Sequence, residues 1–353
     1  MSSKTNSTQY LDTLRALATF GVIIIHVSTP TLKMNFGKNL FYWMSGNLFD
    51  SSVRFAVPIF LMLTGATMLG REYNTREFYK KRFIRVFIPF LFWMVVYWVF
   101  RWSVLRSWQQ PKEFMAIIRW AFDLFVAEGI SKHFWYFYMI LVVYLFVPFV
   151  GKELRKIKKS TILQLIIVWV ILNFFLRGVP MNLYGWSVDS VASKFLGWFL
   201  HAGYLVVGYY LVNMPIMTSK FRIMAMITFV LSIISSTLLT YIFSENAHKL
   251  DLSMYGYLTI NTFIQSVAVF LMVKDYNIKN RVALQIQHAI CNYSYGIYLA
   301  HVMVLGIFFN CGFYWKIAHP LISIPVVSVV TLITCYLIIF VLRKIPAGKY
   351  VAG

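Results

Sequence analysis

Apolar residues run along this chain in unbroken blocks rather than alternating with polar ones, and short polar segments separate the blocks. A block of about 20 apolar residues is long enough to cross a bilayer as a helix. Ten such windows are predicted, at 11–29, 54–69, 83–105, 134–150, 162–176, 195–213, 223–243, 255–273, 291–309 and 321–342. Because lipid leaves an unpaired backbone group without water to satisfy it, helices are expected throughout. The fold class is therefore all-α, a polytopic bundle of about ten transmembrane helices. Two further stretches, 39–48 and 114–127, read as amphipathic segments lying along the outer interface. The first window has no small-residue cleavage site and no basic leader, so it reads as a retained span. Neither a repeat nor a low-complexity linker divides the chain. A single domain over 1–353 is expected, with no C-terminal extracytoplasmic domain.

Composition excludes the alternatives. Of 353 residues, 59% are hydrophobic and only 13% charged, and the mean hydropathy is +0.68. A soluble fold would have too few polar residues to face water, and a disordered chain would be far less apolar. The net charge of +21 would suggest nucleic acid in a soluble protein. Here it has a topological reading, because Lys and Arg collect in alternate loops at about two to one. That bias predicts both termini in the cytoplasm, anionic lipid as the electrostatic partner, and no nucleic acid. Cys291, Cys311 and Cys335 show neither disulfide nor metal spacing and read as small buried hydrophobes.

Polar residues inside spans are costly and point to function. The first span carries Asp12, Arg15 and His26. Eleven residues at about 100° each return Arg15 and His26 to nearly one face, and Asp12 lies within about 60° of both. With a rise of about 1.5 Å per residue, His26 stands some 22 Å above Leu11, in the outer half of the bilayer. Such a stripe must face the bundle interior or a wet cavity; an inward-snorkelling Asp–Arg pair with a hydrogen-bonded histidine would also satisfy it. The ninth span puts Ser294, Tyr298 and His301 on one face, either as a second site or as polar glue between helices. Arg82 and Arg85, one turn apart, suit phosphate through forked hydrogen bonds, or serve only as topology determinants. His133 and Trp135 stand in an aromatic mouth that fits either an interfacial belt or a sugar face. A glycosidase carboxylate pair, a His-Glu-x-x-His metal helix, a Gly-x-Ser-x-Gly elbow and a glycine-rich phosphate loop are all missing.

Five stretches occur together in one order: Leu11-Asp12-Thr13-Leu14-Arg15-Ala16 with His26; Val57-Pro58-Ile59-Phe60 through Gly65; Arg82-Phe83-Ile84-Arg85 before Pro89; His133-Phe134-Trp135-Tyr136 through Tyr144 and Pro148; and Tyr295-Gly296-Ile297-Tyr298-Leu299-Ala300-His301. In this the sequence resembles the integral-membrane acyltransferase-3 family, in particular the branch of the enterobacterial common antigen O-acetyltransferases. The resemblance implies transfer of an acyl group, usually acetyl, from cytoplasmic acetyl-CoA to a cell-surface saccharide or its lipid-linked precursor, in a bacterial cytoplasmic membrane. It further implies His26 as catalytic base with Arg15 and Asp12 as motif partners, and Arg82 and Arg85 as contacts to the donor phosphates. His133, Trp135, Ser294, Tyr298 and His301 are expected on the acceptor side, with no metal and no permanently bound cofactor. A transporter or flippase of a lipid-linked saccharide is the alternative, with the same stripe lining a pathway; paired broken helices, its usual signature, are not seen.

Overall fold

A computed structural model describes residues 8–101, 115, 131–178 and 191–353. The described residues are helical, with no strand among them. The helices are α1 (Gln9–Asn35), α2 (Leu40–Ser52), α3 (Ala56–Met68), α4 (Thr75–Arg82), α5 (Ile88–Phe100), α6 (Trp135–Leu154), α7 (Lys159–Gly178), α8 (Val191–His201), α9 (Gly203–Val212), α10 (Ser219–Asn246), α11 (Ile260–Val273), α12 (Arg281–Asn310) and α13 (Pro320–Lys344). Eight apolar helical stretches are long enough to cross a membrane, and two shorter ones, Lys159–Asn173 and Leu196–Val212, fall on the fifth and sixth predicted windows. The protein is a multi-pass membrane bundle.

The starts of several helices are set by side chains that accept orphan backbone N–H groups. Asn74 caps α4, Thr218 caps α10, Thr259 caps α11 and Asn280 caps α12. Between α4 and α5 the chain continues as a π-helical stretch, Phe83–Phe87. Such wide turns shift the side chains that follow them and recur at functional sites; this one carries Arg85.

In lipid, helices associate chiefly through close packing, so small residues mark the tightest contacts. On α3, a methyl group at Gly65 would collide with the Leu205 carbonyl of α9, and one at Gly208 of α9 would collide with the Met62 carbonyl of α3. The glycine that ends the second sequence motif is therefore a packing requirement.

Two departures from the sequence reading follow from the same physics. Segment 39–48 does not lie along an interface: α2 is packed into the bundle, with Trp43, Asn47 and Asp50 buried and Gly46 set against the Leu32 backbone of α1. Its polar face looked like a water-facing one because its partners are themselves polar. Of the second stretch, 114–127, all but Met115 lies outside the described residues, as does the end of the window at 83–105. The three cysteines also differ in surroundings: Cys335 is buried as expected, Cys291 is half-buried and Cys311 is exposed.

Among the described residues the interior has two large cores and a small cluster of Leu32, Trp43 and Tyr255. One gathers α3, α6, α9 and the N-terminal half of α1; the other gathers α5, α12 and α13. Ile24 and Tyr144 pack against both, and the candidate site lies along this seam.

Candidate active site

Helices α1 and α12 come from opposite ends of the sequence and run parallel, in a register fixed by three contacts. Gln287 Nε2 donates to the Gln9 carbonyl at 2.9 Å. One turn further, the Cys291 thiol lies between Asp12 Oδ1, at 3.2 Å, and Arg15, whose guanidinium donates to Sγ at 3.3 Å. Higher still, the His26 and His301 rings meet edge to face, 4.9 Å apart. The two polar stripes predicted on separate spans therefore form one seam.

His133, just before α6, completes a triangle of histidines: its ring centroid is 5.2 Å from His301 and 6.3 Å from His26. Two of the three rings are oriented by hydrogen bonds. His301 Nδ1 lies 2.6 Å from the Tyr298 carbonyl, and a carbonyl only accepts, so Nδ1 carries the proton. His133 Nδ1 pairs with the Ser131 hydroxyl at 2.7 Å. The Nε2 atoms of both rings are buried without a hydrogen-bond partner. Tyr298 ties the group together by donating its hydroxyl to the His133 carbonyl at 2.7 Å. His26 faces a chamber of about 30 Å³ walled by Phe60, His133, Trp135, Tyr136, Tyr257 and Tyr298. So small a space admits a hydroxyl group and not a whole sugar ring. Trp135 stacks on Tyr257, with centroids 5.6 Å apart and planes 17° apart.

Toward the basic end of the bundle lies a larger cavity of about 280 Å³. Arg15, Arg82, Arg85 and Ser294 line it together with Tyr144 and Tyr295. The Arg82 guanidinium sits 5.2 Å from the Tyr144 ring and 5.4 Å from the Phe78 ring, a cation held over aromatic faces. Its Nε has no hydrogen-bond partner, and Arg85 is exposed at the mouth. Phe60, Tyr136 and Tyr298 line both cavity and chamber. The two spaces adjoin at this aromatic constriction and together outline a path from the arginines toward His26.

The structure brings most of the predicted residues together but divides them by depth. His26, His133, Trp135 and Tyr298 line the chamber, with His301 buried against the His26 and His133 rings, while Arg15, Arg82, Arg85 and Ser294 gather at the cavity, about 16 Å lower along α1. Asp12 lines neither space; it stands behind Arg15, 3.5 Å away in an ion pair. Among the described residues no set of three or more His, Cys, Asp or Glu side chains is grouped to hold a metal ion.

Sequence reading missed two parts of the site. Tyr136 reads as part of an aromatic belt, where nothing in composition separates a lining ring from an interfacial one, and Tyr257 carries no signal beyond its place in the eighth span. The other omission is Asp50. It is fully buried, paired with Arg54 four residues on, and accepts from Thr29 Oγ1 at 3.0 Å. The Arg54 guanidinium lies 4.1 Å over the Tyr255 ring and donates to the Tyr255 carbonyl at 3.4 Å. Its spacing to Arg54 was the available signal, since residues four apart are neighbours on a helix.

Comparison with known proteins bears on the same residues. No curated protein and no solved structure matches the chain. The family model described as an acyltransferase domain matches residues 8–340, from the turn before Asp12 almost to the end of α13. That match includes all five sequence motifs and both ends of the aromatic path. The chain belongs to the integral-membrane acyltransferase-3 family and is a membrane acyltransferase, of the kind that transfers groups other than amino-acyl groups.

Proposed function

We propose that the protein moves an acyl group, acetyl in the simplest case, from acyl-CoA at the arginine cavity to a hydroxyl of a saccharide or lipid-linked glycan presented at the histidine chamber. The observation that carries this reading is the shared wall of Phe60, Tyr136 and Tyr298, which joins a phosphate-binding end to a base-bearing end. The basic end faces the cytoplasm of a bacterium, by the excess of Lys and Arg in its loops. Arg82 and Arg85 hold the nucleotide phosphates by charge-assisted hydrogen bonds, with Arg15 further in. The flexible arm of coenzyme A then spans the constriction and delivers the thioester carbonyl to the chamber.

There, His26 takes the proton of the acceptor hydroxyl as its oxygen attacks the carbonyl carbon. The oxyanion that forms is stabilised by a proton donor in the constriction, Tyr136 in this scheme. As the tetrahedral intermediate collapses, the carbon–sulfur bond breaks, the proton passes from His26 to the departing sulfur, and an ester and free coenzyme A remain. His301 and His133 keep the chamber polar and orient the acceptor, while Trp135 and Tyr257 offer it an aromatic lip. Asp12 and Cys291 act through Arg15, holding its guanidinium in place.

The test is coenzyme A release by purified protein in nanodiscs, supplied with acetyl-CoA and a panel of lipid-linked saccharides. Release that requires acceptor and is abolished in folded His26→Ala is the expected result. Equal release by wild type and His26→Ala would remove His26 as base. Saccharide flux across proteoliposomes without any release would overturn the enzyme scheme.

A further inference from the structure

One wall residue of the arginine cavity comes from no membrane helix. The other lining residues sit on α1, α3, α4, the π-helical stretch, α6 and α12, whereas Gly353 reaches the cavity from a strap, residues 345–353, that follows α13. Lys349 and Tyr350 of this strap are exposed, as a segment at the lipid headgroups should be. Beyond them the chain folds back inward. Ala347, at φ 62°, and the short 3-10 helix Gly348–Tyr350 make the turn, and Ala352 ends fully buried in the core of α5, α12 and α13.

Three helices hold the strap there. Trp93 of α5 donates Nε1–H to the Val351 carbonyl at 3.1 Å. Arg343, at the end of α13, donates to the Gly353 carbonyl and, at 2.9 Å, to the Asn292 carbonyl of α12. Gly296 of α12 leaves room for the Ala352 carbonyl, with which a methyl group at that position would collide. The glycine of the fifth sequence motif therefore makes the seat of the strap.

From this seat a line of contacts leads to the arginines. The Gly353 backbone, at φ 90°, lies so close to the Tyr295 ring that a side chain at 353 would strike it. Tyr295 in turn donates its hydroxyl to the Val86 carbonyl at 2.6 Å. Val86 follows Arg85 in the wide turn Phe83–Phe87. Such a turn departs from the ordinary α-helical ladder, and the Tyr295 hydroxyl supports it from outside its own helix.

We propose that segment 345–353 is a positioning element for the acyl donor: it seats Tyr295, which holds the turn that presents Arg85, with Arg82 just before it, to the donor phosphates. This rests on the acyltransfer scheme above and deepens it, since donor affinity then depends on residues beyond the last span.

The experiment uses the full chain in nanodiscs, with Trp93→Phe to remove the hydrogen bond to Val351 and Gly353→Leu to unseat the end of the strap. Trp93→Phe keeps an aromatic ring in the core and serves if Gly353→Leu does not fold, as a thermal melt reports. The readouts are the dissociation constant for acetyl-CoA, KM for a saccharide acceptor, and hydrogen exchange of peptides covering 83–87. Each variant should weaken acetyl-CoA binding by about two- to tenfold, the worth of one neutral hydrogen bond, speed exchange at 83–87 and leave acceptor KM unchanged. Tyr295→Phe should do the same, and adding Trp93→Phe to it should cost no more, because groups that act in series are not additive. Full additivity, unchanged donor affinity or an equal rise in acceptor KM would overturn the proposal. Tighter donor binding would also overturn it, by showing the strap to be a plug. Wild-type protein that binds no acetyl-CoA would instead defeat the acyltransfer scheme. Exchange then decides alone: faster in the variants, the strap holds the Arg85 turn; unchanged, it does not.

Discussion

The two ends of the aromatic path differ in almost every physical respect. The arginine cavity is roomy, partly exposed and cationic, and its charges sit on a π-helical turn and a helix end. The histidine chamber is smaller and more enclosed, has no arginine in its wall, and its His133 ring is oriented by a serine while the adjoining His301 ring is held by a backbone carbonyl. A cation near water is hydrated and partly screened until a phosphate arrives to meet it with charge-assisted hydrogen bonds. A base buried in a bilayer works only if its lone pair points at one proton. In the proposed scheme this contrast assigns binding and chemistry to different depths, joined by three aromatic side chains.

That division can be broken or sharpened by substitution. The largest effect is expected for His26→Ala, a fall in kcat of about 10²–10⁴-fold with acyl-CoA affinity unchanged, read by coenzyme A release beside equilibrium donor binding. Loss of donor affinity in the same variant would show the two ends to be a single site. Arg54→Ala should lower stability by about 3–5 kcal/mol, because it strands the buried Asp50 carboxylate; a thermal melt in detergent reports it, and Asp50→Asn added to Arg54→Ala should recover part of the loss. Arg82→Ala should leave the melt unchanged and raise KM for acyl-CoA by roughly 10- to 150-fold, the worth of hydrogen bonds to a charged group at about 1.5–3 kcal/mol. Smallest is Cys291→Ala, which removes a bridge between Asp12 and Arg15 worth about 0.5–1.5 kcal/mol. It should weaken donor binding a few-fold, and Cys291→Ser should restore it.

The spans were legible because lipid demands long apolar helices whatever their neighbours are. The stripe of Arg15 and His26 was legible for a related reason, since a costly polar residue in such a helix has to face inward. Depth followed from helical rise. The pairing of that stripe with Ser294, Tyr298 and His301 was not legible, because register between distant helices is set by contacts such as Gln9 with Gln287 that carry no periodic signal. Segment 39–48 was misplaced for a comparable reason: Asn47 looks solvent-facing until the Tyr255 hydroxyl and the Thr237 carbonyl are known to meet it. The cavity lined by Trp169, Leu231, Asn261 and Phe263 was equally hidden, being a space between helices rather than a property of any one of them.

The parallel pairing of α1 with α12 also has a consequence for biosynthesis. Arg15 and Cys291 touch across 276 residues of chain, which at about 5–20 residues per second takes roughly 14–55 s to synthesise. Through that interval Arg15 and His26 are already made while the helix that completes their site is not. The protein therefore needs something to shelter a half-built polar face during insertion, and a nascent chain stalled before α12 should be the species most readily captured by membrane chaperones and proteases.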